Sequence, residues 1–166
     1  MKTDILFPKS THVVSHHGIA EVWEDEQTGQ HSLHSTSAYN VNDVICSFSA
    51  GEILNHPTYL TVQIDEKNHI TLHPEFLQYI NHGCAPNIFF DTTEMQIVCI
   101  APIEAGDELR FFYPSTEWEM AQPFNCSCGA ANCLHVVKGA AYLLKDILKS
   151  YKLNNFIKRQ MEKSMP

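Results

Sequence analysis

A chain of 166 residues with 44% hydrophobic and 18% charged residues fits one folded domain with at most a small appended unit, and excludes a disordered polymer. Its formal net charge of -8 makes direct nucleic-acid binding a poor expectation and a basic protein segment a better partner. No long apolar run follows Met1-Lys2-Thr3-Asp4-Ile5 and no stretch reaches the roughly 18 apolar residues of a membrane span. The expected setting is therefore intracellular and reducing, where cysteines are thiols or metal ligands rather than disulfides.

Taken in order, Ile5-Leu6-Phe7, Val13-Val14 and Ile19-Ala20-Glu21-Val22-Trp23 read as short edge-like strands broken by Pro8 and Gly18. Asp25 to Gly29 is a polar turn, Leu33 to Ser37 a short mixed segment, and Asn42-Asp43 a second turn before a strand over Val44 to Phe48. Gly51 and Pro57 bracket Glu52-Ile53-Leu54. Leu60, Val62 and Ile64 alternate on one side of a strand, and Asp65 to Asn68 turns it into His69-Ile70-Thr71-Leu72 as a hairpin. Pro74 opens about one helical turn over Glu75 to Tyr79.

That turn delivers the chain into Tyr79-Ile80-Asn81-His82-Gly83-Cys84-Ala85-Pro86-Asn87, a loop punctuated by Gly83 and Pro86. Ile88-Phe89-Phe90 leaves it as a strand, and Met95 to Ala101 is the strongest strand signal in the chain. Ile103 to Leu109 turns into Arg110-Phe111-Phe112-Tyr113, which Pro114 stops. Finally Leu143, Leu144, Ile147, Leu148, Tyr151, Phe156 and Ile157 stripe an expected helix from Ala140 to Met161, which should pack on the domain's own sheet.

Cys126-Ser127-Cys128 with Cys133 forms a C-x-C-x4-C cluster. Thiolates suit a tetrahedral zinc ion, which needs a fourth ligand. Cys84, Cys46, Cys99 and His135 are the candidates. Cys46 and Cys99 lie inside apolar strands, where cysteine behaves as a small hydrophobe; Cys84, in an ordered polar loop, is the better choice. Four thiolates leave no open position, so such a site is structural and pins the cysteine segment to the Asn81 loop.

Three motifs in order carry a family resemblance. Asn81-His82-Gly83-Cys84-Ala85-Pro86-Asn87 resembles the N-H-S-C-x-P-N signature of SET-domain lysine methyltransferases, with Gly83 where serine is usual. Gly106-Asp107-Glu108-Leu109-Arg110-Phe111-Phe112-Tyr113 resembles their G-E-E-L-x-x-x-Y signature, and Cys126-Ser127-Cys128-Gly129 with Cys133 resembles their post-SET cysteines. The resemblance covers residues 12 to 139. Where the family shows G-x-G near the start, this chain has Gly29-Gln30-His31-Ser32-Leu33-His34, and its inserted region is very short.

The resemblance implies a mainly β SET-domain fold of small curved sheets, with a threaded knot-like core in which the Tyr113 segment passes the Asn81 loop. It implies a SET domain over 1–119, a post-SET zinc segment over 120–139 and a C-terminal helix and tail over 140–166. The implied cofactor is S-adenosyl-L-methionine, with Asn81, His82 and Phe124 binding it and Tyr113 as the catalytic residue at the methyl-transfer point. Cys84, Cys126, Cys128 and Cys133 become the ligands of a structural zinc ion.

The implied reaction is methyl transfer to the ε-amine of a lysine in a protein with a basic segment, of a histone-like or otherwise lysine-rich kind, without membrane attachment. Two alternatives stay open: a non-catalytic zinc-stapled interaction module, and a methyltransferase acting on a small-molecule amine. Transfer from a sulfonium needs a neutral amine aligned behind the methyl, and no acid for the leaving thioether. An apolar channel lowers the amine's pKa and a tyrosine hydroxyl can orient it. Phe111 and Tyr113 share one side by period two and line the expected channel, while Phe112 faces the core. Trp118 either walls that channel or anchors the linker. Tyr39, Tyr59 and Tyr79 have no assigned place, and the other histidines lack a metal-binding spacing.

Overall fold

The computed structural model describes residues 10–164; the expected strand at Ile5-Leu6-Phe7 and the break at Pro8 lie outside them. The first sheet has the order β1-β2-β3, from Thr11–His16, Ala20–Asp25 and His31–Ser35, all antiparallel. Gly18, at φ +76°, makes the turn between the first two, a backbone geometry that suits a residue without Cβ. Ala20, Val22 and Leu33 point into the core from this sheet, whereas Val13 and Val14 are exposed.

A second sheet sets β4 (Val44–Ser47) and β9 (Ile88–Asp91) on either side of β10 (Gln96–Cys99). The strand expected over Met95 to Ala101 is thus shorter, because the Ile100 and Ala101 N–H groups turn away to the Asn87 carbonyl. Cys99 is buried and Cys46 half-buried within these strands, and burial pushes Cys46 up to about 11. They are small apolar fillers, as their setting predicts.

A third sheet holds β5 (Ser49–Leu54), β7 (His69–His73) and β6 (Val62–Gln63) in the order β5-β7-β6. The expected hairpin forms, closed by Asp65, whose Oδ1 accepts from the Lys67 and Asn68 N–H groups at 2.8 and 2.9 Å. Pro74 precedes a 3-10 turn over Glu75–Tyr79.

Two short pairings complete the fold. β8 (Asn81–His82) runs parallel to β11 (Arg110–Phe111), in the register Arg110↔Asn81 and Phe111↔His82. The close pass of the Tyr113 segment along the Asn81 loop is therefore present. The strand expected through Tyr113 ends at Phe111, since Pro114 starts a 3-10 turn over Tyr113–Ser115. β12 (Phe124–Asn125) pairs with β13 (Val136–Val137), closing the cysteine segment into a small loop.

The single C-terminal helix expected from Ala140 to Met161 is corrected. The chain forms a 3-10 turn over Ala140–Tyr142, α1 over Lys145–Lys149 and α2 over Asn155–Lys163. The helix is interrupted where Asn154, extended at φ -68° and ψ 154°, gives its buried amide to the Phe90 and Ser115 carbonyls at 2.8 and 3.0 Å. Leu144, expected on the buried stripe, is 74% exposed. Leu148, Leu153, Phe156 and Ile157 instead form a second core with Phe112 and Ala140, so this segment does pack on its own domain.

Candidate active site

The site grows from the parallel crossing of β8 and β11. Backbone bonds hold it from Gly83 N–H to Phe111 O (3.0 Å) and Asn87 N–H to Arg110 O (3.1 Å). The Asn87 side chain clamps the same strand from both ends, donating to Glu108 O at 2.9 Å and accepting from Arg110 N–H at 2.9 Å. Gly83 matters for packing: a Cβ there would lie 3.0 Å from the Arg110 Cβ and 3.1 Å from its Cδ. Glycine in place of the usual serine thus makes room for the Arg110 stem, whose Nη2 pairs with Glu108 Oε2 at 2.6 Å.

Asn81 donates its side-chain amide to the His31 carbonyl (2.9 Å) and to Glu108 Oε1 (3.3 Å). The segment that lacks the G-x-G pattern therefore sits directly against the crossing. His31 pairs with Glu24 at 3.2 Å and tilts against the Tyr79 ring at 5.0 Å, so its side chain is engaged on those two groups. His34 stacks on Trp23 at 4.2 Å and donates through Nδ1 to the Gly106 carbonyl at 2.8 Å.

His82 joins the two halves of the site. Its Nδ1 accepts from the Tyr113 backbone N–H at 3.1 Å, which leaves the hydrogen on Nε2, where it points at Cys84 Sγ 3.2 Å away. Burial, then the Arg110 charge, lowers its pKa to about 4, so the ring is neutral at pH 7.

Tyr113, Phe124 and His82 form one aromatic group, with centroids 5.2 Å apart for His82–Tyr113, 5.8 Å for His82–Phe124 and 5.9 Å for Tyr113–Phe124. Phe111 lies 4.7 Å from the Tyr113 ring and is buried, with Tyr113 packed on the main core from the same side. Phe112 faces away and stacks flat on Tyr151 at 3.6 Å. The period-two reading of these three residues holds. Burial raises Tyr113 to about 12, and its hydroxyl makes one long bond, to Ile80 O at 3.4 Å. It is a protonated, lightly held donor.

The four thiols Cys84, Cys126, Cys128 and Cys133 come together with all Sγ atoms within 4.8 Å of one another. A zinc tetrahedron with Zn–S of about 2.3 Å has S···S edges of about 3.8 Å, so the spacing fits the ion. Backbone N–H groups of Leu134 and His135 point at the Cys84 and Cys133 sulfurs at 3.3 and 3.5 Å, outer contacts that would orient these ligands on an ion. Although burial raises Cys128, hydrogen bonds led by the Ala130 N–H bring it down to about 6. The four thiols suit a structural ion with no open position, in the manner of a post-SET segment.

Trp118 donates its backbone N–H to Gln63 Oε1 at 3.0 Å and packs against the second core. Close beside it, Gly139 at φ +118° would place a Cβ 2.4 Å from the Trp118 carbonyl, so only glycine fits that pass. A cavity of about 240 Å³ lies behind Phe112, lined by Cys84, Phe89, Ser115, Tyr151 and Lys152 among others. It touches none of Asn81, His82, Tyr113 or Phe124.

Three residues outside the motifs prove central. Tyr151 donates to the Cys84 carbonyl at 2.7 Å and Asn132 to the same oxygen at 3.0 Å, bracing the loop from behind. Glu117 is a carboxyl 7% exposed, one turn beyond Tyr113. The only sequence hint for Glu117 is its nearness to Tyr113; for Tyr151 it is an aromatic within an apolar stripe.

The SET-domain family model matches residues 6–114. Methyltransferase flvH of Aspergillus flavus is 45% identical over 103 residues, which are 61% of this chain and 57% of that protein. Two proteins named histone-lysine N-methyltransferase, H3 lysine-36 specific, from Chaetomium globosum and Gibberella zeae, are 28% and 27% identical over 130 residues. That stretch is 64% of this chain and 14% of each of them. The chain thus spans little more than half of the first relative and a small part of the other two.

Proposed function

The chain belongs to the SET-domain family, and on that premise we propose that it transfers methyl groups from S-adenosyl-L-methionine to an amine, with the ε-amine of a protein lysine as the leading acceptor. The observation that carries this reading is the parallel pairing Arg110↔Asn81 and Phe111↔His82, which gathers Tyr113, His82, Phe124 and the four thiols around one crossing. We divide the chain into a catalytic unit over 1–119, a zinc segment over 120–139 and a C-terminal brace over 140–166.

The cofactor supplies an activated methyl on a sulfonium. Asn81 and His82 form the polar edge of its site, and Phe124, half-exposed beside them, offers a flat apolar face for an adenine. Tyr113, protonated at all working pH because burial raises it to about 12, orients the acceptor nitrogen through its hydroxyl. Phe111 walls the apolar side, where burial favours the neutral amine. Alignment supplies most of the rate. The zinc ion acts on structure: through Cys84 and His82 it fixes the backbone that carries Tyr113.

A small-molecule amine is the second reading. Between Gln63 and Asn81 the chain has room only for β7 and one 3-10 turn, which leaves little surface for reading a peptide. Among the relatives, methyltransferase flvH carries no substrate in its name, whereas the two partial matches act on a histone lysine by theirs. A basic, histone-like substrate remains favoured by the net charge of -8. No helix among the described residues is long and apolar enough to cross a membrane.

Calorimetric titration of zinc-loaded protein with S-adenosyl-L-methionine tests the premise, with a Kd near micromolar, about -8 kcal/mol, expected. Absence of binding by folded, zinc-containing protein would leave a non-catalytic module. Labelled methyl uptake by lysine-rich peptides against small primary amines then separates the two acceptors.

A further inference from the structure

Glu117 is a carboxyl in an unusual position. The Tyr113 carbonyl accepts from the N–H groups of Thr116 (3.1 Å) and Glu117 (2.9 Å), so residues 113 to 117 close one helical turn. Side chains four apart on such a turn lie on the same face. The carboxylate is close enough to the Tyr113 hydroxyl to raise its pKa.

Its neighbours leave it half satisfied. Oε2 accepts from the Gln63 N–H at 3.0 Å, while Oε1 has no hydrogen-bond partner among the described residues. The second oxygen is not among the fully enclosed, unpartnered atoms, which are His69 Nδ1 and Ser115 Oγ, so it keeps a sliver of accessible surface in a residue that is 7% exposed. No cation pairs with this carboxyl among the described residues.

The titratable groups beside it are Tyr113 on its own turn, whose hydroxyl also feels Glu108, and His69 and Asp65 on the hairpin that carries Gln63. Asp65 is held by its own turn, and burial lowers the pKa of His69. None is a standing positive charge at pH 7. A buried carboxyl without a partner cation is costly in its ionised form, and a cationic ligand relieves that cost.

We propose that Glu117 is the cation site of the acceptor channel: its carboxylate receives the ammonium group of the incoming amine and takes one proton from it. The step rests on the methyl-transfer reading. The proton passes from the acceptor nitrogen to a Glu117 oxygen, giving a neutral amine and a carboxylic acid. The freed nitrogen pair forms the N–C bond while the S–C pair returns to sulfur, leaving a methylated ammonium and a neutral thioether. The acid then releases its proton to water before the next turnover. Burial holds the free carboxyl at about 8, near enough to neutrality for exchange in both directions.

The test follows the Glu117 carboxyl by carbon NMR in zinc-loaded protein carrying labelled glutamate, its signal identified by its loss in Glu117→Gln. Titration with n-butylammonium chloride is expected to lower the Glu117 midpoint by a pH unit or more. Glu117→Gln should weaken butylammonium binding tenfold or more, with Glu117→Asp in between. In methyl transfer, Glu117→Gln should lose the acidic limb of the pH–rate profile. A Glu117 midpoint unmoved by butylammonium, or a Glu117→Gln protein of normal zinc content with unchanged amine affinity and pH profile, would overturn the proposal. If the cofactor fails to bind while butylammonium still moves Glu117, the methyl-transfer reading falls and the cation site stands. If transfer proceeds with Glu117→Gln at the wild-type pH profile, the reverse holds.

Discussion

The crossing of residues 81–87 with 108–113 and the C-terminal segment beyond Gly139 are held by opposite means. At the crossing, backbone pairs with backbone and the Asn87 amide repeats the pattern, so the residue types are dictated by local geometry: glycine where the Arg110 stem packs, asparagine where an amide must bridge two strands. In the C-terminal segment single side chains do the holding. Asn154 accepts from Thr92 and donates to Phe90 and Ser115, and Tyr151 stacks on Phe112 while donating to Cys84. Backbone-determined contacts leave a motif in the sequence; contacts made by one side chain leave no pattern at all.

Removing the metal sets the two regions apart most strongly. Zinc stripped by a chelator should unpin residues 120–139 from Cys84 and lower the Tm by about 10 °C or more. Limited proteolysis should then cut first inside 120–139, with the β sheets intact. Equal protection with and without zinc would mean that the crossing stands without its staple.

Asn154→Ala should cost roughly 2–4 kcal/mol, since it takes the buried side-chain donor from the Phe90 carbonyl and the acceptor from the Thr92 N–H, while the Ser115 carbonyl keeps the bond from the residue's backbone N–H. Urea unfolding would read this as a lower midpoint at unchanged slope. A loss under about 1 kcal/mol would show that apolar packing alone seats the segment.

Glu117 gives a pH dependence that belongs to the crossing. Its folded pKa, about 8, lies above the ordinary 4.5, so between those values the folded state binds more protons than the unfolded one. Stability must then fall as pH rises through that window, by at most about 1.4 kcal/mol per pH unit, and level off above it. Urea midpoints of Glu117→Gln and wild type, measured from pH 5 to 9 with zinc present, should diverge with that sign; parallel curves would place the carboxyl in contact with water.

The smallest expected effect is that of Tyr151→Phe, which keeps the stack on Phe112 and loses the hydroxyl's bond to the Cys84 carbonyl and the one it accepts from the exposed Asn132 amide, which still reaches Cys84 O. About 1 kcal/mol is expected, read by thermal unfolding of zinc-loaded protein; a loss several times larger would mean that the hydroxyl, and not the ring, seats the loop.

The same contrast explains what was legible in the sequence. Alternation and turn residues placed the Val44 strand, the Asp65–Asn68 hairpin, the Pro74 turn and the strands on either side of Thr92, because each depends on near neighbours. Cys84 was separable from Cys46 and Cys99 by its polar loop, and the four sulfurs do meet. The helical stripe from Leu143 to Ile157 failed for a physical reason: periodicity counts apolar side chains and is blind to an asparagine whose amide finds better partners outside the helix. Phe111, Phe112 and Tyr113 followed period two even though the strand ends at Phe111, since extended backbone at Phe112 is enough to alternate their sides. Glu117 was missed because a buried acid looks like any surface acid until the turn that buries it is known.

Methyl transfer by Tyr113→Phe is the measurement that bears most directly on the account. Under single-turnover conditions, with zinc content and cofactor affinity matched to wild type, the rate to the best amine acceptor should fall about 100-fold or more. The long hydroxyl bond to Ile80 predicts little change in stability. A variant that transfers methyl groups at the wild-type rate would contradict the placement of the chemistry at this crossing.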